Sequence, residues 1–374
     1  MSWSPQQEQA IRAVEAWLSD PKGPQVFRLF GFAGSGKTTL AKHLAAGVKG
    51  PVHYACFTGK AALVLRKKGC EGASTIHSLI YKPEQDDVTG EYRFKLNPES
   101  SAAYASLIVV DEVSMVGEDL ARDLLSYRCK VLVLGDPAQL PPVKGEGYFI
   151  NARPDVMLTE VHRQAQDNPI IRMSMDVREG RGLKPGMYGD SRVVSRATID
   201  KHEMRELALE ADQLLCGLNR TRQTFNARIR ELKGLVGEPA PWMPVPGDRL
   251  VCLRNNREKN LLNGGLWIAG KTGLSADSKR AQTRIESLDE PDAAPADIAV
   301  PLEFFTGAEK DLHWKERRDW DEFTYGWALT VHKSQGSQWD NVLVFDESRT
   351  FREDAAKHLY TAVTRAAERV TVVV

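Results

Sequence analysis

The segment Gly31-Phe32-Ala33-Gly34-Ser35-Gly36-Lys37-Thr38, directly after an apolar run at residues 25–30, constrains this chain's architecture more than any other stretch. A buried strand that enters a glycine-rich turn and leaves as a helix, expected over residues 37–48, aims several backbone N–H groups and the positive helix end at one spot. Gly34 and Gly36 let the backbone wrap a cluster of oxyanions. Lys37 reaches the outer phosphates as a point charge, and the Thr38 hydroxyl is suited to hold Mg²⁺. The pattern implies a bound nucleoside triphosphate at the carboxyl ends of a parallel sheet.

The first half keeps that strand–helix rhythm. Apolar runs at residues 26–30, 52–57, 107–110 and 131–134 alternate with helical patterns early on, which argues for a parallel sheet with helices on both faces. Two segments break the rhythm. Residues 81–98 carry Asp86-Asp87-Val88-Thr89-Gly90, a turn signal, and then strict alternation that puts Tyr92, Phe94 and Leu96 on one face. This reads as an inserted hairpin. Residues 262–322 hold Asn263-Gly264-Gly265, an acidic Pro/Ala-rich stretch and short apolar pieces, the pattern of a small barrel of short strands. A second α/β rhythm closes the chain: a strand at 213–217, a basic helix at 220–232, a strand at 342–345, a helix at 355–365 and a strand at 370–374. Pro185-Gly186 marks a link. The 374 residues suffice for two similar sheets in tandem.

Fifty Lys and Arg balance fifty Asp and Glu. A nucleic-acid partner is therefore not announced by bulk charge, and any basic footprint must be local. The five cysteines, Cys56, Cys70, Cys129, Cys216 and Cys252, show no C-x-x-C pair and no metal-ligand spacing, which fits reduced thiols packed in cores. No apolar run reaches about 18 residues and no signal-peptide pattern opens the chain. The expectation is a soluble, cytoplasmic protein without a membrane partner.

Asp111-Glu112 follows the apolar run 107–110 directly. Asp111 suits a Mg²⁺ ligand beside the phosphate loop, and Glu112 suits a general base that polarises the attacking water. The alternative is that both acids cap the following helix. Gly135-Asp136-Pro137-Ala138-Gln139 has two open readings: ordinary turn chemistry, or a Gln139 that senses the terminal phosphate. Hydrolysis coupled to motion needs further cations, for which Arg163 and Arg365 are candidates.

Taken in order, these segments resemble a superfamily-1B DNA helicase of the RecD/Dda group along nearly the whole chain. Gln7 resembles the adenine-reading glutamine, and residues 31–39, with Gly34, Ser35, Gly36, Lys37, Thr38 and Thr39, resemble motif I. Phe57-Thr58-Gly59-Lys60 is similar to motif Ia, and Ser74-Thr75-Ile76-His77 to motif Ib. Asp111-Glu112 falls in motif II, Gln139 in motif III and Arg163 in motif IV. Thr330-Val331-His332-Lys333-Ser334-Gln335-Gly336 matches motif V, and Tyr360-Thr361-Ala362-Val363-Thr364-Arg365 matches motif VI.

The resemblance implies two tandem RecA-like domains, at 1–180 (1A, with a pin hairpin 1B at 81–100) and 181–374 (2A, with an SH3-like barrel 2B at about 262–322). It implies ATP and Mg²⁺ as cofactors, with Arg163 and Arg365 as γ-phosphate contacts, Gln139 as the coupling residue, and Gly336 and Gln338 near the γ-phosphate and ribose. The implied activity is ATP-driven movement from 5′ to 3′ on single-stranded DNA by a monomer, with a pin splitting duplex or fork DNA, alone or beside replication or recombination proteins.

By motif position the strand meets Thr58, Lys60, Thr75 and His77 in the first domain and Asn219, Thr330, His332 and Lys333 in the second. These groups suit phosphates and sugars rather than base edges. Tyr92 and Phe94 either stack on a base or bury the hairpin's inner face. Arg220, Arg222, Arg228 and Arg230 read as a solvated helix face before a DNA track. Alternatives to the motor are an RNA helicase of the same superfamily, a non-motor ATP-switched clamp, and a subunit of a larger recombination complex.

Overall fold

The computed structural model describes residues 3–85, 92–142, 147–160, 167–256, 258–313, 317 and 319–374, with the backbone alone at 85, 92 and 93. The chain divides into two compact units, Met1–Leu183 with Glu353–Thr364, and Lys184–Arg352 with Arg365–Val374.

The first unit contains β1 (Val26–Gly31), β2 (Val52–Cys56), β3 (Ser74–Thr75), β4 (Tyr81–Gln85), β5 (Tyr92–Leu96), β6 (Leu107–Asp111), β7 (Lys130–Gly135) and β8 (Val156–Leu158). Six of them form one sheet in the order β3-β2-β6-β7-β1-β8, with every pairing parallel. Strand β6 is buried along its full length, as a central strand covered on both faces must be. One face packs Phe30, Ile108, Val110, Val131 and Val133, and the other Leu29, Leu40, Leu44, Val109 and Leu132. The carboxyl ends of β1, β6 and β7 therefore open side by side, at Gly31, Asp111 and Gly135.

The remaining two strands, β4 and β5, pair antiparallel, with Tyr81 opposite Leu96 and Pro83 opposite Phe94. Their base is tied to the unit. The Tyr81 hydroxyl donates to Asp123 Oδ2 at 2.5 Å, and the Tyr127 hydroxyl donates toward Ile80 O and Asn97 O. Phe94 is 66% exposed. It does not bury an inner face, which removes that reading for Phe94; the Tyr92 side chain lies outside the described residues.

In the second unit, β9 (Gly186–Tyr188), β10 (Ser191–Val194), β11 (Gln213–Cys216), β17 (Ala328–Thr330), β18 (Trp339–Phe345) and β19 (Ala366–Val373) form a sheet in the order β17-β11-β18-β19-β10-β9. It is parallel except at the β9–β10 edge. Strands β12 (Arg249–Cys252), β13 (Leu266–Leu274), β14 (Arg280–Ser287), β15 (Ala296–Pro301) and β16 (Phe323–Tyr325) form an antiparallel sheet, β15-β14-β13-β12-β16. Burial alternates along β14, so one face looks into a core of Leu250, Trp267, Ile285, Ile298 and Phe323. This sheet recruits β12 and β16, outside the expected 262–322, because both pair directly with its neighbours or with each other.

Three expectations are corrected. Residues 353–364 belong with the first unit, since the helix Ala355–Val363 packs on the helix Pro169–Arg178. That helix ends at Val363, not 365, because Ala366 already pairs with Trp339 in the parallel ladder that Val370 to Val373 continue. And the basic helix, observed at Asn219–Leu232, does not present all its arginines to solvent, because Arg230 is 5% exposed and bound to the fully buried Asp248.

Candidate active site

The phosphate loop takes the shape its residues demand. Gly34 and Gly36 adopt φ of 77° and 80°, which only glycine tolerates without strain. A Cβ at Gly36 would stand 2.8 Å from Gln7 Nε2. Gln7 is buried and donates to Ser35 O at 3.1 Å, and its helix Pro5–Ser19 is held by a capping box with Ser4. Ser35 Oγ donates to Phe32 O at 2.8 Å. Lys37 folds back on its own loop, donating to Gly31 O at 2.7 Å and Phe32 O at 3.0 Å. Thr39 is exposed on the helix Lys37–Ala46 that follows the loop.

Thr38 and Asp111 meet across the sheet. The Thr38 hydroxyl donates to Asp111 Oδ2 at 2.8 Å. Asp111 is buried, and its carboxyl is pushed up first by burial and then by Glu112 beside it, against the pull of Thr38 and Lys37. Among the described residues no cation pairs with it. A buried carboxylate touching a hydroxyl, with no ion pair among the described residues, fits a divalent cation. Glu112 sits in the left-handed region, φ 55° and ψ 47°, an outlier of the kind that clusters at functional sites. It therefore does not extend the strand, and neither acid supplies a side-chain cap to the short helix that follows.

The loop after β7 completes the cluster. Asp136 is 3% exposed; Ala138 N–H donates to its Oδ1 at 3.0 Å, and the Tyr360 hydroxyl donates to its Oδ2 at 2.7 Å. Burial pushes Asp136 up, while Lys37 and Tyr360 pull it down. The Tyr360 oxygen also accepts the Ala33 N–H at 2.8 Å, so one phenol bridges the phosphate loop and Asp136. Burial and the adjacent Asp136 raise the Tyr360 pKa far above that of a free phenol. Thr361 Oγ1 accepts from Leu140 N–H at 2.9 Å. Gln139 is buried, and its Oε1 has no partner among the described residues, which fits a group awaiting a donor better than turn chemistry alone.

Asp136 and Tyr360 stand inside segments already singled out, yet neither was a predicted site residue. A polar side chain at a buried strand end is the signal that could have found Asp136. Arg178 was missed as well; its guanidinium lies 3.7 Å from the centroid of the Phe32 ring, beside a 280 Å³ cavity lined by Phe32, Pro137, Arg178, Lys357 and Tyr360.

Arg163 lies outside the described residues. Arg365 follows the first-unit helix in the chain but belongs to the second unit, where it is 5% exposed and donates to Ser337 O at 3.3 Å. Gly336 is there at φ 76°, buried, and Gln338 is exposed.

Of the expected strand-binding residues in the first unit, Thr58 and Thr75 cap helices, accepting from Ala61 N–H at 3.1 Å and Ser78 N–H at 3.0 Å. A capping hydroxyl keeps its own proton to donate. Lys60 is buried. The His77 ring packs beside Phe57 and Tyr81, at centroid distances of 6.2 and 5.5 Å, and desolvation lowers its pKa. In the second unit, Asn219 Oδ1 accepts from Arg222 Nε at 3.3 Å, Thr330 Oγ1 accepts from Lys333 N–H at 3.3 Å, and His332 packs on Phe351. Lys333 Nζ donates to Asn263 Oδ1.

All five cysteines are free. Among the described residues no helix is long and apolar enough to cross a membrane, and no cluster of three or more His, Cys, Asp or Glu residues has metal-site geometry.

A glycine-rich loop on a buried parallel strand, with a threonine–aspartate contact at its mouth, defines a P-loop nucleoside-triphosphate-binding protein. Within that class the chain belongs to the AAA domain family, whose model matches residues 2–198. Residues 325–373 match the UvrD-like helicase C-terminal domain. The chain is 29% identical to the ATP-dependent RecD2 DNA helicase of Deinococcus radiodurans, over 94% of this chain and 47% of that protein. It is 28% identical to the RecBCD enzyme subunit RecD of Mycobacterium tuberculosis, over 97% of this chain and 68% of that protein. It thus spans about half the length of the first relative. Bacteroides Pif1 bound to single-stranded DNA superposes with a TM-score of 0.57 at 18% identity, covering 99% of this chain and 92% of that one, a likeness of fold.

Proposed function

We propose that the chain is an ATP-dependent DNA helicase that moves 5′ to 3′ on single-stranded DNA and opens duplex ahead of it. The observation that carries this reading is the Thr38–Asp111 contact at 2.8 Å, with Glu112 turned into the left-handed region at the same strand end. Phosphate loop, carboxylate and general-base candidate converge as hydrolysis requires.

Thr38 and Asp111 would hold Mg²⁺, which neutralises charge on the phosphates and relieves the buried carboxylate. Lys37 leaves its loop carbonyls for the phosphates, Glu112 takes a proton from the attacking water, and Gln139 reports the state of the terminal phosphate. Arg163 and Arg365 supply the cations that stabilise the transferring group. The domain reading is 1A over about 1–180 together with 353–364, 1B over 81–100, 2A over the rest of 181–374, and 2B over 262–322 together with β12 and β16. Two bonds join β15 to the residue leading into β16, Asp321 N–H to Ala299 O at 3.1 Å and Ala299 N–H to Asp321 Oδ2 at 3.2 Å, which supports 2B as a small closed barrel. The exposed Phe94 supports the β4–β5 hairpin as the wedge.

Unwinding by the lone chain of duplexes bearing a 5′ or a 3′ single-stranded tail tests this. The 5′-tailed duplex should open with ATP and the 3′-tailed one should not. ATP hydrolysis without opening of either would overturn the helicase reading.

A further inference from the structure

Phe32 is the pivot of the phosphate loop. Its carbonyl accepts from Ser35 N–H at 3.2 Å, Ser35 Oγ at 2.8 Å and Lys37 Nζ at 3.0 Å. The other carbonyl that holds Lys37, Gly31 O at 2.7 Å, belongs to the residue just before. A carbonyl oxygen has two lone pairs, so three donors crowd Phe32 O. Of the three, Lys37 can leave without unwinding the turn. Where Phe32 sits therefore decides where Lys37 waits for the phosphates.

The half-buried Phe32 ring is held from outside the loop. The Arg178 guanidinium lies 3.7 Å from the ring centroid, in van der Waals contact. The cavity of 280 Å³ beside the pair is lined by both side chains, so packing does not clamp the ring on that side. The next loop residue is held as well, because Ala33 N–H donates to the Tyr360 hydroxyl at 2.8 Å. Arg178 and Tyr360 stand on two helices that pack on each other, Pro169–Arg178 and Ala355–Val363.

Arg178 is the last residue of its helix, where any cation would complement the helix dipole. That role does not require a guanidinium over a ring. Its side chain is 20% exposed, and its ion pair is with the neighbouring Glu179 at 3.1 Å. A solvated arginine would turn to water. This one covers an aromatic face, and partial desolvation strengthens such a contact.

We propose that Arg178 is a positioning residue for ATP: by clamping Phe32 it keeps the phosphate loop, and with it Lys37, preset for the incoming triphosphate. Arg178 acts through Phe32 rather than on the triphosphate, and it lowers the cost of ordering the loop when the ligand arrives. The proposal rests on the ATP-hydrolysis reading above.

The test is steady-state ATP hydrolysis by the intact chain with saturating oligo(dT), for the wild type, Arg178→Met, Arg178→Lys, Phe32→Leu and the double variant of Arg178→Met with Phe32→Leu. Losing one cation–π contact should raise KM for ATP roughly three- to tenfold in Arg178→Met and lower kcat by a smaller factor. Arg178→Lys keeps a cation over the ring and should recover most of the shift. Phe32→Leu should show the same rise, and the double variant should be no worse than either single, because both remove one contact. A helix-end arginine with a purely structural role would move the melting temperature and leave KM alone. A wild-type KM in Phe32→Leu, or losses that add in the double variant, would overturn the proposal even where Arg178→Met fails to fold. If the wild type turns over ATP and the variants keep its KM, only the assignment of Arg178 falls. If the wild type hydrolyses no ATP, the underlying reading falls with it.

Discussion

Each unit buries carboxylates among apolar neighbours, and the two units treat them in opposite ways. In the second, Asp248 receives two bonds from the Arg230 guanidinium, at 2.9 and 3.0 Å, and the Val245 N–H at 2.9 Å. The remaining Arg230 donors go to Pro241 O and Met243 O. In the first, Asp111 has one hydroxyl and one neighbouring N–H, and Asp136 has one phenol and one N–H. Burial raises all three carboxyl pKa values. Only Asp248 has its counter-ion. A closed pair ties elements together, whereas an open carboxylate is a charge held ready for a ligand, and that difference separates scaffold from site.

Three substitutions sharpen the contrast. The largest effect is expected from Asp111→Asn, which should lower ATP turnover by about 10²–10³-fold while leaving thermal stability equal or higher. The sign follows from the raised folded-state pKa. Stability declines as pH rises from the unfolded value near 3.8 through the folded one, so at neutral pH the charged carboxylate is a burden that the amide lacks. A clear fall in the melting temperature would make Asp111 a structural residue.

Arg230→Ala comes next. Stranding Asp248 should cost about 3–5 kcal/mol in urea unfolding, and Arg230→Met with Asp248→Leu should recover most of it. Equal losses in the single and double variants would contradict a closed pair.

The smallest is Tyr360→Phe, which keeps the ring and removes the bridge between Ala33 and Asp136. A hydrogen bond to a charged group contributes about 1.5–3 kcal/mol to stability, so the melting temperature should fall by several degrees, and turnover should fall too because Ala33 N–H and Asp136 lose their shared partner. An unchanged rate would reduce the bridge to packing.

The legible parts of the molecule are those whose chemistry is local in sequence. The phosphate loop couples strand, glycines and helix within a few residues, and Asp111-Glu112 announces itself as charge at the end of an apolar run. The hairpin was readable from alternation, but the exposure of Phe94 depends on what the unit fails to place against it. The Tyr360–Asp136 bond joins positions 224 apart, so no window could contain it. Arg230 looked like its neighbours on a basic helix until the fold set Asp248 opposite. The antiparallel sheet was under-drawn because β12 and β16 are short and lie outside the irregular composition that marked the insertion.

The most direct test of the account is steady-state ATP hydrolysis with and without oligo(dT), for the wild-type chain and Lys37→Ala. The account predicts a rate that single-stranded DNA raises severalfold in the wild type and that falls by about 10²-fold or more in the variant. Equal rates for the two proteins, or a wild-type rate indifferent to DNA, would contradict it.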